Sequence, residues 1–420
     1  MKVIVAVALT LPLAVSCGSS SDSSSNGKSS SAATTKGSGG DEASDGGTEP
    51  TKKPTEVEKF KFEKVADLPK VQINSTVEFK GDIFATVYGD TMEMSIMRIG
   101  TDGKTTGPEQ HSSDLSLYGV YPTTDALIAV GSNYGTGNMT CGFAKVDPTT
   151  LAIGALDNSL QASGNSGCGT PEVFIDGSTL AAVYSSRLAV MDTSTGAVKT
   201  IDLQTGQDYA STQITGNKDA LFVSYPEDNG SDMATPHKWV LVRLDRKTLA
   251  ETARATLDGS PAMNGDKLTV QTYNTTKNPD GPTTFTPKDV LEVDQKTLKT
   301  KKADSDSPAS LCDAVTSQLG MSRFPAGFET GGRIWRDMIV SGTVTGYDPD
   351  TCDKSAEATM PDSQQSSDQQ NSSGPRVSEQ LIHSGDSLLV ITASTSTKPD
   401  ANGNERTVVD SQALYKADVG

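Results

Sequence analysis

Two short phrases alternate seven times along this chain, and that repetition restricts its fold more than any other feature. The first phrase is a polar or Gly residue leading into a small apolar run: GDIFATVY (81–88), TDALIAVG (124–131), GSTLAAVY (177–184), KDALFVSY (218–225), GDKLTVQT (265–272), GGRIWRDM (331–338) and GDSLLVIT (385–392). The second phrase follows each time: IMRIGTDG (96–103), FAKVDPTT (143–150), LAVMDTSTG (188–196), LVRLDRKT (241–248), VLEVDQKT (290–297), VTGYDPDT (344–351) and ALYKAD (413–418). Its turn residues are Gly100, Asp147, Asp192, Asp245, Asp294, Asp348 and Asp418.

Short apolar runs bounded by Gly and Asp read as β-strands. An Asp at a strand end bonds the backbone two residues on and starts a turn, and the Thr adds a similar bond. Gly103 and Gly196 supply a positive φ where such a turn needs one. A further alternating piece follows each turn, such as GAVKTIDL (196–203) or LAETARATL (249–257). A brief piece such as EVFIDG (172–177) or QLIHSG (380–385) precedes each first phrase. Four strands per roughly 50 residues, repeated radially, make a β-propeller blade. The expectation is an all-β, seven-bladed β-propeller of four-stranded blades spanning residues 59–420. Repeats one and six are the most degenerate, so six or eight blades are the alternatives. Hydrophobic content of 34% and aromatic content of 5% suit many small, locally packed units better than one aromatic core.

The last phrase ends two residues before the final Gly420, so the seventh blade lacks its outer strand. EKFKFEKVADL (58–68) alternates like a strand and has no partner of its own. It is expected to close the ring by supplying the missing strand.

MKVIVAVALTLPLAVSC begins with one positive residue, Lys2, and an apolar run from Val3 to Val15. That run has the length of a signal-peptide core and is too short to span a bilayer. Small residues then meet a Cys at Ala14-Val15-Ser16-Cys17, which resembles the cleavage box of bacterial lipoproteins, although Leu13 lies one place early. The resemblance implies a signal peptide over 1–16, removed before Cys17, and acyl chains on Cys17. The location it implies is the extracytoplasmic side of the cell membrane, with membrane lipid as a partner through the anchor. Residues 17–58 are Ser, Gly, Asp, Thr and Lys with almost nothing apolar. Such a segment cannot bury enough surface to offset its ordering entropy. It reads as a flexible tether with an end-to-end distance of roughly 35 Å.

LAVMDTSTGAVKTIDL (188–203) resembles the repeat of quinoprotein-like bacterial propellers, in which an apolar strand runs into Asp-x-x-Thr-Gly. The resemblance implies the fold. In those repeats a Trp docks neighbouring blades, whereas Ile201 or Leu203 stands there and the chain has two Trp in all. No quinone cofactor is expected.

Four further cysteines, Cys141, Cys168, Cys312 and Cys352, form an even set suited to two disulfides in an exported chain. Cys141 opens a third strand and Cys168 lies in the following inter-blade link, which fall on one face of a propeller. Cys141–Cys168 is the expected pair and Cys312–Cys352 follows by elimination. The second pair needs the long link around PASLCDAVTSQLG (308–320) to cross to the other face.

The loops between second and third strands are long in blades two, four, five and seven: SNYGTGNMTC (132–141), YPEDNGSDMATPHK (225–238), YNTTKNPDGPTTFTPK (273–288) and STSTKPDANGNERT (394–407). All fall on one face, which is the expected site of a protein partner, with tolerated surface insertion as the bland reading. The polar stretch 355–378 reads as a disordered loop.

Candidates for chemistry are few. Asp400, Asn402 and Asn404 have the D-x-N-x-N spacing of a calcium loop, but the sixth-position Gly and the later Glu are missing. Turn formation is the preferred reading there, with calcium the alternative. The three histidines, His111, His237 and His383, have no metal-ligand spacing. No catalytic residue or bound cofactor is assigned. A net charge of −17 argues against nucleic acid. The functional expectation is a binding propeller. The alternatives are a hydrolase- or lyase-type enzyme using carboxylates of the central channel, and a small-ligand sensor.

Overall fold

The computed structural model describes residues 56–88, 94–107, 114–135, 139–161, 169–203, 212–227, 238–264, 267–276, 284–302, 328–335, 339, 342–349, 351, 353–361, 376–399 and 405–420. All belong to one compact unit, Pro54–Gly420. The chain enters through β1 (Glu58–Lys61) and β2 (Glu63–Asp67). Seven sheets then follow in order. Blade one holds β3 (Gln72–Phe79), β4 (Asp82–Tyr88), β5 (Met94–Gly100) and β6 (Thr105–Thr106). Blade two holds β7 (Leu115–Pro122), β8 (Leu127–Asn133) and β9 (Thr140–Val146). Blade three runs through β10 (Glu172–Asp176), β11 (Thr179–Tyr184), β12 (Arg187–Asp192) and β13 (Ala197–Asp202). Blade four is β14 (Gln213–Gly216), β15 (Ala220–Pro226), β16 (Trp239–Asp245) and β17 (Glu251–Leu257). Blade five is β18 (Pro261–Asn264), β19 (Lys267–Thr276), β20 (Thr284–Val293) and β21 (Thr300–Lys302). Blade six contains β22 (Phe328–Thr330), β23 (Arg333–Trp335), β24 (Thr343–Tyr347) and β25 (Lys354–Thr359). Blade seven contains β26 (Arg376–Ser384), β27 (Ser387–Pro399) and β28 (Glu405–Asp418). The molecule is an all-β, seven-bladed β-propeller.

The first strands of adjacent blades approach one another, β26 with β3, β3 with β7, β10 with β14 and β14 with β18, so they stand around the axis. Side chains of the second and third strands alternate between the two neighbouring blades. In β11, Leu180 and Ala182 pack against blade two, while Ala181 and Val183 pack against blade four. A strand buried on both faces reads as a continuous apolar run, which is why the first phrases are unbroken. Six hydrophobic clusters of this kind fill six of the junctions between blades.

Closure uses the N-terminal segment twice. β2 pairs antiparallel with β28, from Glu63↔Lys416 to Asp67↔Ala413, and is the expected fourth strand of blade seven. β1 adds to blade six as a fifth strand, parallel to β25, from Glu58↔Ala356 to Lys61↔Thr359. Phe62 lies between them, 3% exposed, in the cluster that joins blades six and seven. Its N–H donates to the Thr359 carbonyl at 3.1 Å. The two additions were legible only as one strand, because parallel pairing leaves no turn signal in the sequence.

Blade two fills its fourth position differently. Segment 153–160 covers the outer edge of β9 without forming a strand. The N–H groups of Gly154, Asp157 and Leu160 donate to the carbonyls of Lys145, Phe143 and Cys141. The Asp157 carboxylate accepts from the Phe143 N–H at 3.0 Å. This works because Gly142 leaves room: a Cβ there would stand 1.9 Å from the Asp157 carboxylate.

Three loop boundaries need correction. Within the stretch expected as a disordered loop, 355–359 belong to β25 and 376–378 to β26. The alternation of buried Ala356 and Ala358 with partly exposed neighbours pairs that end with β24. Likewise 273–276 and 284–288 extend the hairpin of β19 and β20, and 394–399 and 405–407 extend that of β27 and β28. Their Thr, Tyr and Phe content favours a pleated strand over a loop.

Candidate functional site

The repeated turn is a structural device. In blades two to five the Asp side chain accepts from the two backbone N–H groups that follow, as Asp245 does from Lys247 at 3.1 Å and Thr248 at 2.8 Å. Those bonds hold the Asp147, Asp192, Asp245 and Asp294 carboxyls below their ordinary range. The main cause is the Thr backbone N–H for Asp147 and Asp245, the Ser194 hydroxyl for Asp192 and the Thr297 hydroxyl for Asp294. The residue after the Thr is left-handed: Gly196 at φ 75°, but Leu151, Leu249 and Leu298 at φ 62°, 59° and 57°. A left-handed Leu costs about 1–2 kcal/mol. Burial of each of these side chains in an inter-blade cluster offsets that by about 1.5–3 kcal/mol.

Further bonds join blades near these turns. Thr123 and Thr193 hydroxyls meet at 3.0 Å, Arg246 donates to the Asp176 carbonyl and carboxylate, and Asn217 donates to Gln295 at 2.6 Å. Arg98 donates to the Pro148 carbonyl at 3.3 Å and Thr330 to the Gly385 carbonyl at 2.6 Å. These groups are spent on holding blades together.

The opposite face carries the connections between second and third strands, and tyrosines gather there. Counting from the hairpin residues Gly81, Gly177 and Lys218, the seventh residue on is Tyr88, Tyr184 and Tyr225. In blade five Tyr273 follows a register shift after Gln271, three residues before the end of β19. Blade two has Gly131 at this position. There Tyr118, in a bulge of β7, donates to the Ser132 hydroxyl at 3.1 Å, and Tyr134 follows β8. Burial raises the Tyr118 phenol, and Tyr134 and Tyr184 lie near enough to raise it further. Tyr121, on the same strand, is pushed up to about 12, chiefly by burial. The Tyr184 ring is pressed by Gly169, where an added Cβ would stand 2.8 Å away. Tyr225 is buried, and its hydroxyl accepts from Arg254 at 2.5 Å. Tyr134 and Tyr273, 51% and 38% exposed, are the exposed large hydrophobic residues among those described.

Phenol rings offer apolar faces and a polar tip and bind partners at low entropic cost. No tyrosine was singled out from the sequence. The signal was present, since three first phrases end in Tyr at a fixed offset, but it read as ordinary strand composition.

Cys141 lies near the start of β9 and is 1% exposed. Cys17, Cys168, Cys312, Cys352, Asp400, Asn402 and Asn404 lie outside the described residues, as do His111 and His237. Among the described residues, no group of three or more His, Cys, Asp or Glu is placed to hold a metal ion. Glu379, on β26, is raised by desolvation.

No protein-family model matches the chain, and no curated protein matches its sequence. Among solved structures it is similar to the WD40 domain of Neurospora crassa Pan2, with 10% identity, a TM-score of 0.39, and 83% of this chain and 90% of that one covered. It is also similar to the β-propeller domain of the Trilobed protease from Pyrococcus furiosus, with 11% identity, a TM-score of 0.37, and 72% and 95% covered. A mitotic checkpoint complex gives 10% identity, a TM-score of 0.42, and 89% and 98% covered. These are likenesses of chain path.

Proposed function

We propose that this chain is a lipid-anchored, extracytoplasmic binding propeller that engages a protein partner on the face bearing Tyr134 and Tyr273. In this reading residues 1–16 are a signal peptide, Cys17 carries the lipid, and residues 17–58 tether the propeller. Cys141–Cys168 is the proposed disulfide of blades two and three, with Cys312–Cys352 as the second. The observation that carries the partner-binding reading is the tyrosine rim, set against an opposite face on which several polar groups bond neighbouring blades. Exposed Tyr flanked by partly buried Tyr is the composition of a binding hot spot.

The test has two arms. Photo-crosslinking amino acids at positions 134 and 273, in intact cells, give a discrete partner adduct, whereas the same probe at Thr195 or Lys247, on the turns, does not. Equal adducts from both faces, or none from 134 and 273, overturn the assignment of the face. Replacing Cys17 with Ser moves the protein from the membrane to the soluble fraction and abolishes acyl labelling. Unchanged fractionation and labelling overturn the anchor.

A further inference from the structure

We infer, on the reading of the tyrosine face as a partner surface, that the mouth of the junction between blades two and three takes a cationic side chain, Arg or Lys, from a basic segment of the partner protein. Four tyrosines converge on this mouth. Residues two apart on a strand share a side. Ser132 and Tyr134 therefore continue the side of β8 that carries Ile128 and Val130 into the cluster between these blades. The Tyr134 N–H donates to the Asp114 carbonyl at 2.8 Å, which extends the pairing past the end of β8. Tyr184 continues the side of β11 that carries Leu180 and Ala182 into the same cluster from blade three. Tyr118 reaches it from the bulge of β7, through its bond to Ser132. Tyr121 folds back along β7 over Gly119, where an added Cβ would stand 2.8 Å from its hydroxyl.

The charges at the mouth select the occupant. Phenol faces carry negative potential and attract a cation. The acidic groups beside them have the same sign. The Asp114 carboxylate lies against Gly135, next to Tyr134, where an added Cβ would stand 2.3 Å from it. Glu172, exposed at the start of β10, adds to the rise that burial causes in the Tyr121 phenol. The described cations of blades two and three are Lys145, Arg187 and Lys199. Arg187, opposite Tyr184 in the sheet, is engaged by the Ser159 carbonyl at 3.2 Å, the Asp202 carboxylate at 2.9 Å and the Thr200 hydroxyl at 2.9 Å. Lys199 donates to the Lys247 carbonyl at 2.5 Å, on a turn of the opposite face, and Lys145 lies at the turn end of β9. The cation that suits these rings and carboxylates therefore comes from outside. A guanidinium suits them well, because it is planar, weakly hydrated and able to stack on a phenol while donating to a carboxylate. The net charge of −17 draws a basic partner toward the chain.

Surface plasmon resonance of the full chain over immobilised Gly-Arg-Gly-Arg-Gly tests this. The expected result is binding that weakens with salt and exceeds binding to Gly-Glu-Gly-Glu-Gly about tenfold or more. Tyr134→Ala and Tyr184→Ala each weaken it about fivefold. Tyr134→Phe holds it within about twofold, because the ring face remains. Glu172→Gln weakens it and flattens its salt dependence. Circular dichroism of each variant checks that the propeller is intact. No binding, or attraction indifferent to Tyr134→Ala and Tyr184→Ala, overturns the inference, since the second is the bulk charge of the chain alone. Choline that displaces the peptide at equal concentration overturns the assignment to a protein side chain. A crosslinked partner at position 134 without tyrosine-dependent peptide binding removes the cation site and leaves the face assignment standing. Tyrosine-dependent peptide binding without a crosslinked partner does the reverse.

Discussion

Phe62 is the residue on which ring closure turns, and replacing it with Ala tests the double strand addition. It belongs to the cluster that holds Trp335, Val344, Ala356 and Ala358 of blade six and Leu388 and Val390 of blade seven. On one side β1 holds it against β25, and on the other β2 holds it against β28. Truncating a fully buried Phe costs about 3–5 kcal/mol, the transfer loss plus a cavity. Unfolding entropy of about 2.1 cal/mol/K per residue over roughly 370 residues is about 0.8 kcal/mol/K. The expected fall in melting temperature is therefore about 4–6 °C, read by calorimetry. Phe60→Ala loses less, because that ring is only partly buried and contributes an edge contact to Trp335 at 6.1 Å and a cation–π contact to Arg333 at 5.6 Å. About 1–2 kcal/mol is expected there. Lys59→Ala, on the exposed side of β1, should be neutral. Hydrogen exchange localises the effect: the Phe62 variant should lose protection in Leu414–Lys416 and Ala356–Ala358 before β11 and β12. A shift under about 1 °C, or uniform loss of protection around the ring, refutes closure through Phe62.

The remaining predictions concern the turns and the tyrosine face. The four turn aspartates have folded pKa values below the ordinary value of about 3.9, so their stabilisation is complete above that pH and is lost as pH falls through the depressed values. Melting temperature followed downward from pH 6 should therefore fall below pH 4, and the quadruple Asp→Asn variant at 147, 192, 245 and 294 should flatten that fall. Leu249→Ala should cost about 2–5 kcal/mol by denaturant titration, because the side chain is removed while the left-handed backbone remains strained. Tyr134→Ala and Tyr273→Ala should leave the melting temperature unchanged. Each should reduce adduct formation with the identified partner by about tenfold, the signature of a hot-spot residue.

What the chain announces by itself is periodic. A strand ending in Asp-x-x-Thr needs only local bonds to turn, so each of the five such turns marks its own position, and with the first and last phrases they point to seven blades. The N-terminal alternation was legible for a related reason, since a strand without a local partner must find a distant one. Tertiary structure decided what depends on neighbours remote in sequence. The parallel addition of β1 to β25 joins Glu58 to Ala356, almost 300 residues away, with no turn between them. The Asp157 carboxylate replaces a strand in blade two because Gly142 happens to leave space. Tyr118, Tyr134 and Tyr184 meet only when blades two and three are set side by side. Local chemistry writes the repeat. The tyrosine rim arises where blades differ and meet across the ring.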